Sequence, residues 1–167
     1  MSLTDREIDV LAAELGRRLK ARGSSVATAE SCTGGLVAGA ITSIAGSSGW
    51  FERGFVTYSN EAKVEMLGFP PQTLAQHGAV SEESARAMAE GALRASTADF
   101  AVAITGVAGP AGGTATKPVG TVCFGWAVRG GLTTAATEHF PGNRVAVRRA
   151  SVIFALQGLI DKIGPAQ

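Results

Sequence analysis

A chain of 167 residues has room for one domain with a sizeable core, and no internal repeat or linker divides it, so residues 1–167 read as a single domain. With 15 basic against 14 acidic side chains, the net charge of +1 offers no electrostatic footprint for nucleic acid or for an anionic membrane surface. Two cysteines and two histidines in no zinc-type spacing suggest neither a disulfide framework nor a metal site, and an acid-bearing start, MSLTDREIDV, with no membrane-length apolar run implies a soluble, cytoplasmic protein.

The first element is an amphipathic helix over 5–22, capped at Thr4, with Ile8, Leu11, Ala12, Leu15 and Leu19 on one face and Gly23 closing it. SSVATAES then reads as a short strand and GGLVAGAITSIAG as a small-residue helix. GFVTYS is an apolar strand, NEAKVEML a short helix begun by Asn60, and Pro70-Pro71 a stop. A helix over 82–95 is capped by Ser81, and DFAVAIT has the near-continuous apolar pattern of a strand covered on both faces. VGTVCFGWAV and LTTAATEHF flank Arg129-Gly130-Gly131, the signal of a C-terminal antiparallel hairpin. A last helix over 143–163 turns Val145, Val152, Ile153, Leu156, Leu159 and Ile160 inward. The sum is a three-layer α/β/α sandwich on a mixed sheet of about five strands.

Ligands of open α/β sheets gather at the carboxyl ends of strands, and three loops leave such ends here: 31–35, 58–63 and 105–117. The first, in TAESCTGG, sets Ser31 at the start of a helix, where free N–H groups can hold an oxyanion; Ser31 or Thr33 can equally be an ordinary helix cap. Neither His77, in a turn, nor His139, at a strand end, is a persuasive base for a serine. Lys63 sits on the first turn of its helix, and burial can leave a lysine neutral and able to accept a proton; the alternative is a solvated surface charge. Cys32 has no histidine or second cysteine nearby in sequence to activate it and reads as a packed small residue. GPAGGTATKPVG is not a phosphate-binding P-loop, since proline follows Lys117, although its glycines can let N–H groups approach a phosphate.

TAESCTGG, IAGSSGWFERGFVTYSNEAK, HGAVSEE, ITGVAGPAGGTATKPVGTV and FPGNRVAVRRA, in that order, resemble the CinA C-terminal domain family, whose characterised members are nicotinamide-mononucleotide deamidases. The resemblance runs from about the first helix to the last and implies the stand-alone form of the domain. It implies hydrolysis of the carboxamide of nicotinamide mononucleotide by a serine–lysine mechanism, with no metal or other cofactor. Ser31 is then the nucleophile, Lys63 its base, and Tyr58 a neighbouring hydroxyl that relays a proton or supports the oxyanion. Backbone N–H groups over 32–35, with Thr33, Gly34 and Gly35, would hold the oxyanion and substrate. Gly106, Gly109 and Gly112, with Arg144 or Arg148, are candidates for the phosphate, and Thr105 and Asn60 for hydrogen bonds to the amide or ribose. The resemblance also implies a homo-oligomer. The competing reading is a non-catalytic mononucleotide-binding or regulatory module on the same glycine-rich rim.

Overall fold

In the computed structural model, which describes residues 1–165, five strands form one mixed sheet in the order β2-β1-β3-β4-β5. The strands are β1 (Val26–Glu30), β2 (Phe51–Val56), β3 (Phe100–Gly106), β4 (Thr121–Val128) and β5 (Thr134–His139). β1 pairs parallel with both β2 and β3, whereas β4 runs antiparallel to both β3 and β5. The helices are α1 (Leu3–Arg22), α2 (Leu36–Thr42), α3 (Asn60–Leu67), α4 (Pro71–His77), α5 (Glu82–Arg94) and α6 (Arg144–Ile163). The expected three-layer sandwich is therefore present.

Alternation along β3 explains why the two helical layers differ. Phe100, Val102 and Ile104 face a bulky core shared with α1, α2 and α6, built on Leu15, Leu19, Val147, Leu156 and Leu159. Ala101 and Ala103 face the other side with Ala27, Ala29 and Ala127, and these small side chains admit Met88, Ala89 and Ala92 of α5. Gly125 on β4 takes this furthest: a Cβ there would collide with the Ala85 carbonyl, so only glycine lets α5 lie this close.

Several boundaries depart from the sequence reading. α1 is capped by Ser2, not Thr4: the Ser2 hydroxyl accepts the Asp5 N–H at 3.1 Å while the Asp5 carboxylate accepts the Ser2 N–H at 3.1 Å. β2 ends at Val56, three residues short of the GFVTYS segment, because the carbonyls of 57–59 turn toward the Lys63 amine. Ser59, not Asn60, caps α3 by accepting the Ala62 N–H at 3.0 Å. Pro71 begins a helix instead of only stopping one, since its missing N–H is harmless at the first helical position. On α6 the inward face is Val147, Ser151, Val152, Ala155, Leu156 and Leu159, which leaves Val145 exposed instead of buried.

Candidate active site

The parallel trio β2-β1-β3 brings the three strand-end loops to one rim. Ser31 is the first residue beyond β1, and its N–H donates to the Ile104 carbonyl of β3 at 2.9 Å, fixing it at the sheet edge. Lys63 reaches the same point from α3. It is a lysine with only 1% of its surface exposed, and its Nζ lies 3.2 Å from Ser31 Oγ. The carbonyls of Thr57, Tyr58 and Ser59 accept from the same nitrogen at 3.0, 3.4 and 3.5 Å.

Burial lowers the Lys63 pKa below the ordinary lysine value, while the nearby Cys32 and Glu61 oppose the shift. Among the described residues no carboxylate pairs with Nζ. A neutral amine carries two N–H groups and one lone pair. The carbonyls at 57–59 supply acceptors for the two N–H groups, and Ser31 can donate its proton to the lone pair.

The turn between β1 and α2 is not the helix start that the sequence suggested. α2 begins only at Leu36, behind Gly34 (φ 56°) and Gly35 (φ 99°), both in the left-handed region that a side chain would strain. Neither Ser31 nor Thr33 caps it, and Thr33 is buried with its hydroxyl unpartnered. The cap comes from Glu30, a residue the sequence reading passed over, whose carboxylate accepts the N–H groups of Gly35, Val37 and Ala38 at 3.2, 2.9 and 2.9 Å. Its signal in the sequence was an acid ending a buried strand just before a Gly-Gly turn. Gly34 N–H goes to the Ser31 carbonyl at 3.0 Å. The set of oxyanion donors expected over 32–35 thus narrows to the N–H groups of Cys32 and Thr33. The Cys32 thiol is buried, and that burial pushes its pKa up to about 12, so it is not a thiolate near neutral pH.

The remaining candidates fall into two groups. Tyr58 is 61% exposed, and its hydroxyl accepts from Arg144 Nη2 at 2.9 Å; only its carbonyl touches Lys63. Arg144 Nη1 also donates to the Gly109 carbonyl at 2.9 Å, so this arginine joins the loop after β2 to the loop after β3. Gly106 ends β3, while Gly112 and Asn60 are exposed on the rim. The other group is structural in its contacts. Arg148 Nε and Nη2 donate to the carbonyls of Cys32 and Thr33 at 3.0 and 3.1 Å, so the expected phosphate ligand is engaged in bracing the turn. Thr105 is buried and gives its hydroxyl proton to the Ala79 carbonyl at 2.8 Å, leaving no hydrogen for a substrate. Among the described residues, no group of three or more His, Cys, Asp or Glu side chains is placed to hold a metal ion.

A buried lysine against a serine hydroxyl, beside two unengaged N–H groups, defines the class: an α/β protein equipped for nucleophilic attack by serine with an amine as base. Residues 8–163 match the model of the CinA C-terminal domain, and the chain belongs to that family. It is 59% identical over 157 residues to the nicotinamide-nucleotide amidohydrolase PncC of Escherichia coli (strain K12), covering 94% of this chain and 95% of that one. It is 52% identical over 154 residues to the Pseudomonas putida PncC, covering 92% and 96% of the two chains. The crystal structure of the competence/damage inducible protein CihA from Agrobacterium tumefaciens superposes with a TM-score of 0.93 at 49% identity, covering 96% of this chain and 98% of that chain.

Proposed function

We propose that the protein is a nicotinamide-nucleotide amidase, a single domain that hydrolyses the carboxamide of nicotinamide mononucleotide to nicotinate mononucleotide and ammonia in pyridine-nucleotide salvage. The observation that carries the mechanism is the 3.2 Å approach of a buried lysine nitrogen to a serine oxygen, and the substrate is supported by the similarity to PncC proteins along nearly the whole chain. Neutral Lys63 takes the Ser31 proton as Oγ attacks the amide carbon, and the oxyanion that forms accepts from the N–H groups of Cys32 and Thr33. The ammonium of Lys63 then protonates the leaving nitrogen, which departs as ammonia. Water, deprotonated by the same amine, attacks the acyl-serine, and the proton returns to Ser31 as nicotinate mononucleotide leaves.

Arg144 is the side chain best placed for the substrate phosphate, because it already spans the two open loops and remains exposed. Tyr58, bonded to it, closes the same side of the rim. In this reading the exposed Asn60 and Gly112, with Gly106 and Gly109 of the loop after β3, would meet the substrate, and Thr33, Gly34 and Gly35 would act through the backbone of the turn. Among the described residues no helix is long and apolar enough to cross a membrane. A cytoplasmic location and a homo-oligomeric state are part of the same proposal and rest on the family resemblance.

Ammonia release from nicotinamide mononucleotide, with free nicotinamide as the comparison, tests this reading. The mononucleotide is expected to turn over and nicotinamide to lag far behind. Binding of the mononucleotide without ammonia would instead identify a non-catalytic module, and equal turnover of nicotinamide would remove the phosphate site.

A further inference from the structure

We infer that Glu30 is a positioning residue for this chemistry, holding the 31–35 turn so that two N–H groups, and only two, are left for an oxyanion. The inference rests on the serine–lysine reading above. From Cys32 to Ala38, the N–H groups divide cleanly. Gly34 donates to the Ser31 carbonyl and Leu36 to the Thr33 carbonyl, while Gly35, Val37 and Ala38 all donate to the Glu30 carboxylate. Cys32 and Thr33 have no acceptor on another residue among the described residues, and the Cys32 N–H meets only its own thiol.

The direction of those two N–H groups follows from peptide geometry. In a trans peptide the N–H points opposite to the carbonyl before it. The Ser31 carbonyl faces Gly34, so the Cys32 N–H points away from the inside of the turn. The Cys32 carbonyl faces Arg148, so the Thr33 N–H points away from that guanidinium. Glu30 pulls the following N–H groups to its own side, directly behind the nucleophile, and it does so from a position with 0% exposure. Without it, Gly35, Val37 and Ala38 lose a common acceptor, and the left-handed pair Gly34-Gly35 is held only from the carbonyl side of the turn, by the bonds from Gly34, Leu36 and Arg148.

A plain helix cap would affect stability alone, whereas a positioning residue affects the chemical step. Glu30→Gln keeps one oxygen for Gly35 and Val37 and loses the Ala38 acceptor; Glu30→Ala loses all three bonds. The expected result is a kcat for ammonia release lowered roughly tenfold in Glu30→Gln and roughly a hundredfold in Glu30→Ala, with KM held within about threefold. Labelling of Ser31 by a fluorophosphonate, whose phosphoryl oxygen occupies the oxyanion position, should slow in parallel. Leu159→Ala, a core truncation far from the turn, supplies a destabilised control that keeps its kcat. Should Glu30→Ala fail to fold, Glu30→Gln carries the test. A Glu30→Gln enzyme with wild-type kcat and labelling rate, or a kcat loss no larger than that of the Leu159→Ala control, overturns the inference. Labelling does not depend on the substrate. A wild type that labels at Ser31 yet releases no ammonia defeats the amidase reading, and slow labelling of the Glu30 variants then still supports the positioning role.

Discussion

In the turn over 31–35, the carbonyls of Ser31, Cys32, Thr33 and Gly35 all accept hydrogen bonds, and a buried carboxylate gathers three N–H groups behind them. In the loop over 106–117, on the same rim, residues 110–116 are exposed, and the anchors are few: Val107 to β4, Thr114 to Lys117, Lys117 to the His77 carbonyl, and Gly109 to Arg144. The first region is fixed from behind by its own neighbours, as bond-making atoms need to be. The second is open, tied at its ends and by the side chains of Arg144 and Lys117, the arrangement that the proposed function assigns to a segment admitting a charged substrate. Changes in the turn should therefore fall on kcat, and changes in the loop on KM.

The largest effects test the turn. Ser31→Ala and Lys63→Met should each lower kcat about 10³-fold or more in an ammonia-release assay, because one removes the proposed nucleophile and the other its proposed base. Lys63→Met should also unfold at the same temperature as the wild type or higher, since it replaces a buried amine by an apolar chain of similar length. A Lys63→Met enzyme retaining a tenth of its activity breaks the contrast at once. Next comes the loop: Arg144→Ala should raise KM for nicotinamide mononucleotide about tenfold and change kcat less than about threefold. A kcat loss with unchanged KM would place Arg144 with the turn instead.

A smaller effect concerns stability against pH. The folded-state pKa of Lys63 is lowered from 10.5 by burial, so between that lowered value and 10.5 the unfolded chain binds more protons than the folded one. Stability contributed through this group therefore rises with pH across that window. Thermal unfolding of the wild type against Lys63→Met should show the wild type gaining on the variant as pH increases there; a constant difference contradicts the shift. The smallest effect is that of Cys32→Ala, with kcat within about threefold of wild type, because a buried thiol pushed up to about 12 is no nucleophile. Iodoacetamide modification of native protein should leave Cys32 unmodified.

The contrast between turn and loop also marks what the sequence could and could not reveal. The sandwich was legible because apolar runs such as DFAVAIT and the period of α5 report burial directly, and Ser31 just past a strand and Lys63 on the first turn of a helix were legible as a candidate hydroxyl and a candidate amine. The pairing of those two depends on α3 delivering a side chain across 32 positions, which no local pattern encodes. Glu30 was missed because an acid at a strand end reads as a solvent-facing terminus, and only the fold shows it turned inward to cap a later helix. Arg148 illustrates the reverse case. Four residues from Arg144, it reads as the alternative phosphate ligand, and in the fold its guanidinium is directed to the carbonyls of Cys32 and Thr33. Val145 failed for a simpler reason: α6 turns its apolar stripe through Val147 and Ser151, and a buried serine bonded to the Val147 carbonyl hides that phase from a hydropathy reading.

The most direct measurement is a titration of the Lys63 side-chain nitrogen by ¹⁵N NMR, from about pH 5 to about pH 11, in the wild-type protein. Loss of the ammonium signal with a midpoint below the ordinary 10.5 is the predicted result, with the signal assigned by its absence in Lys63→Met. An ammonium that persists up to 10.5 or beyond would contradict the account, because a lysine still charged there has no lone pair to offer Ser31.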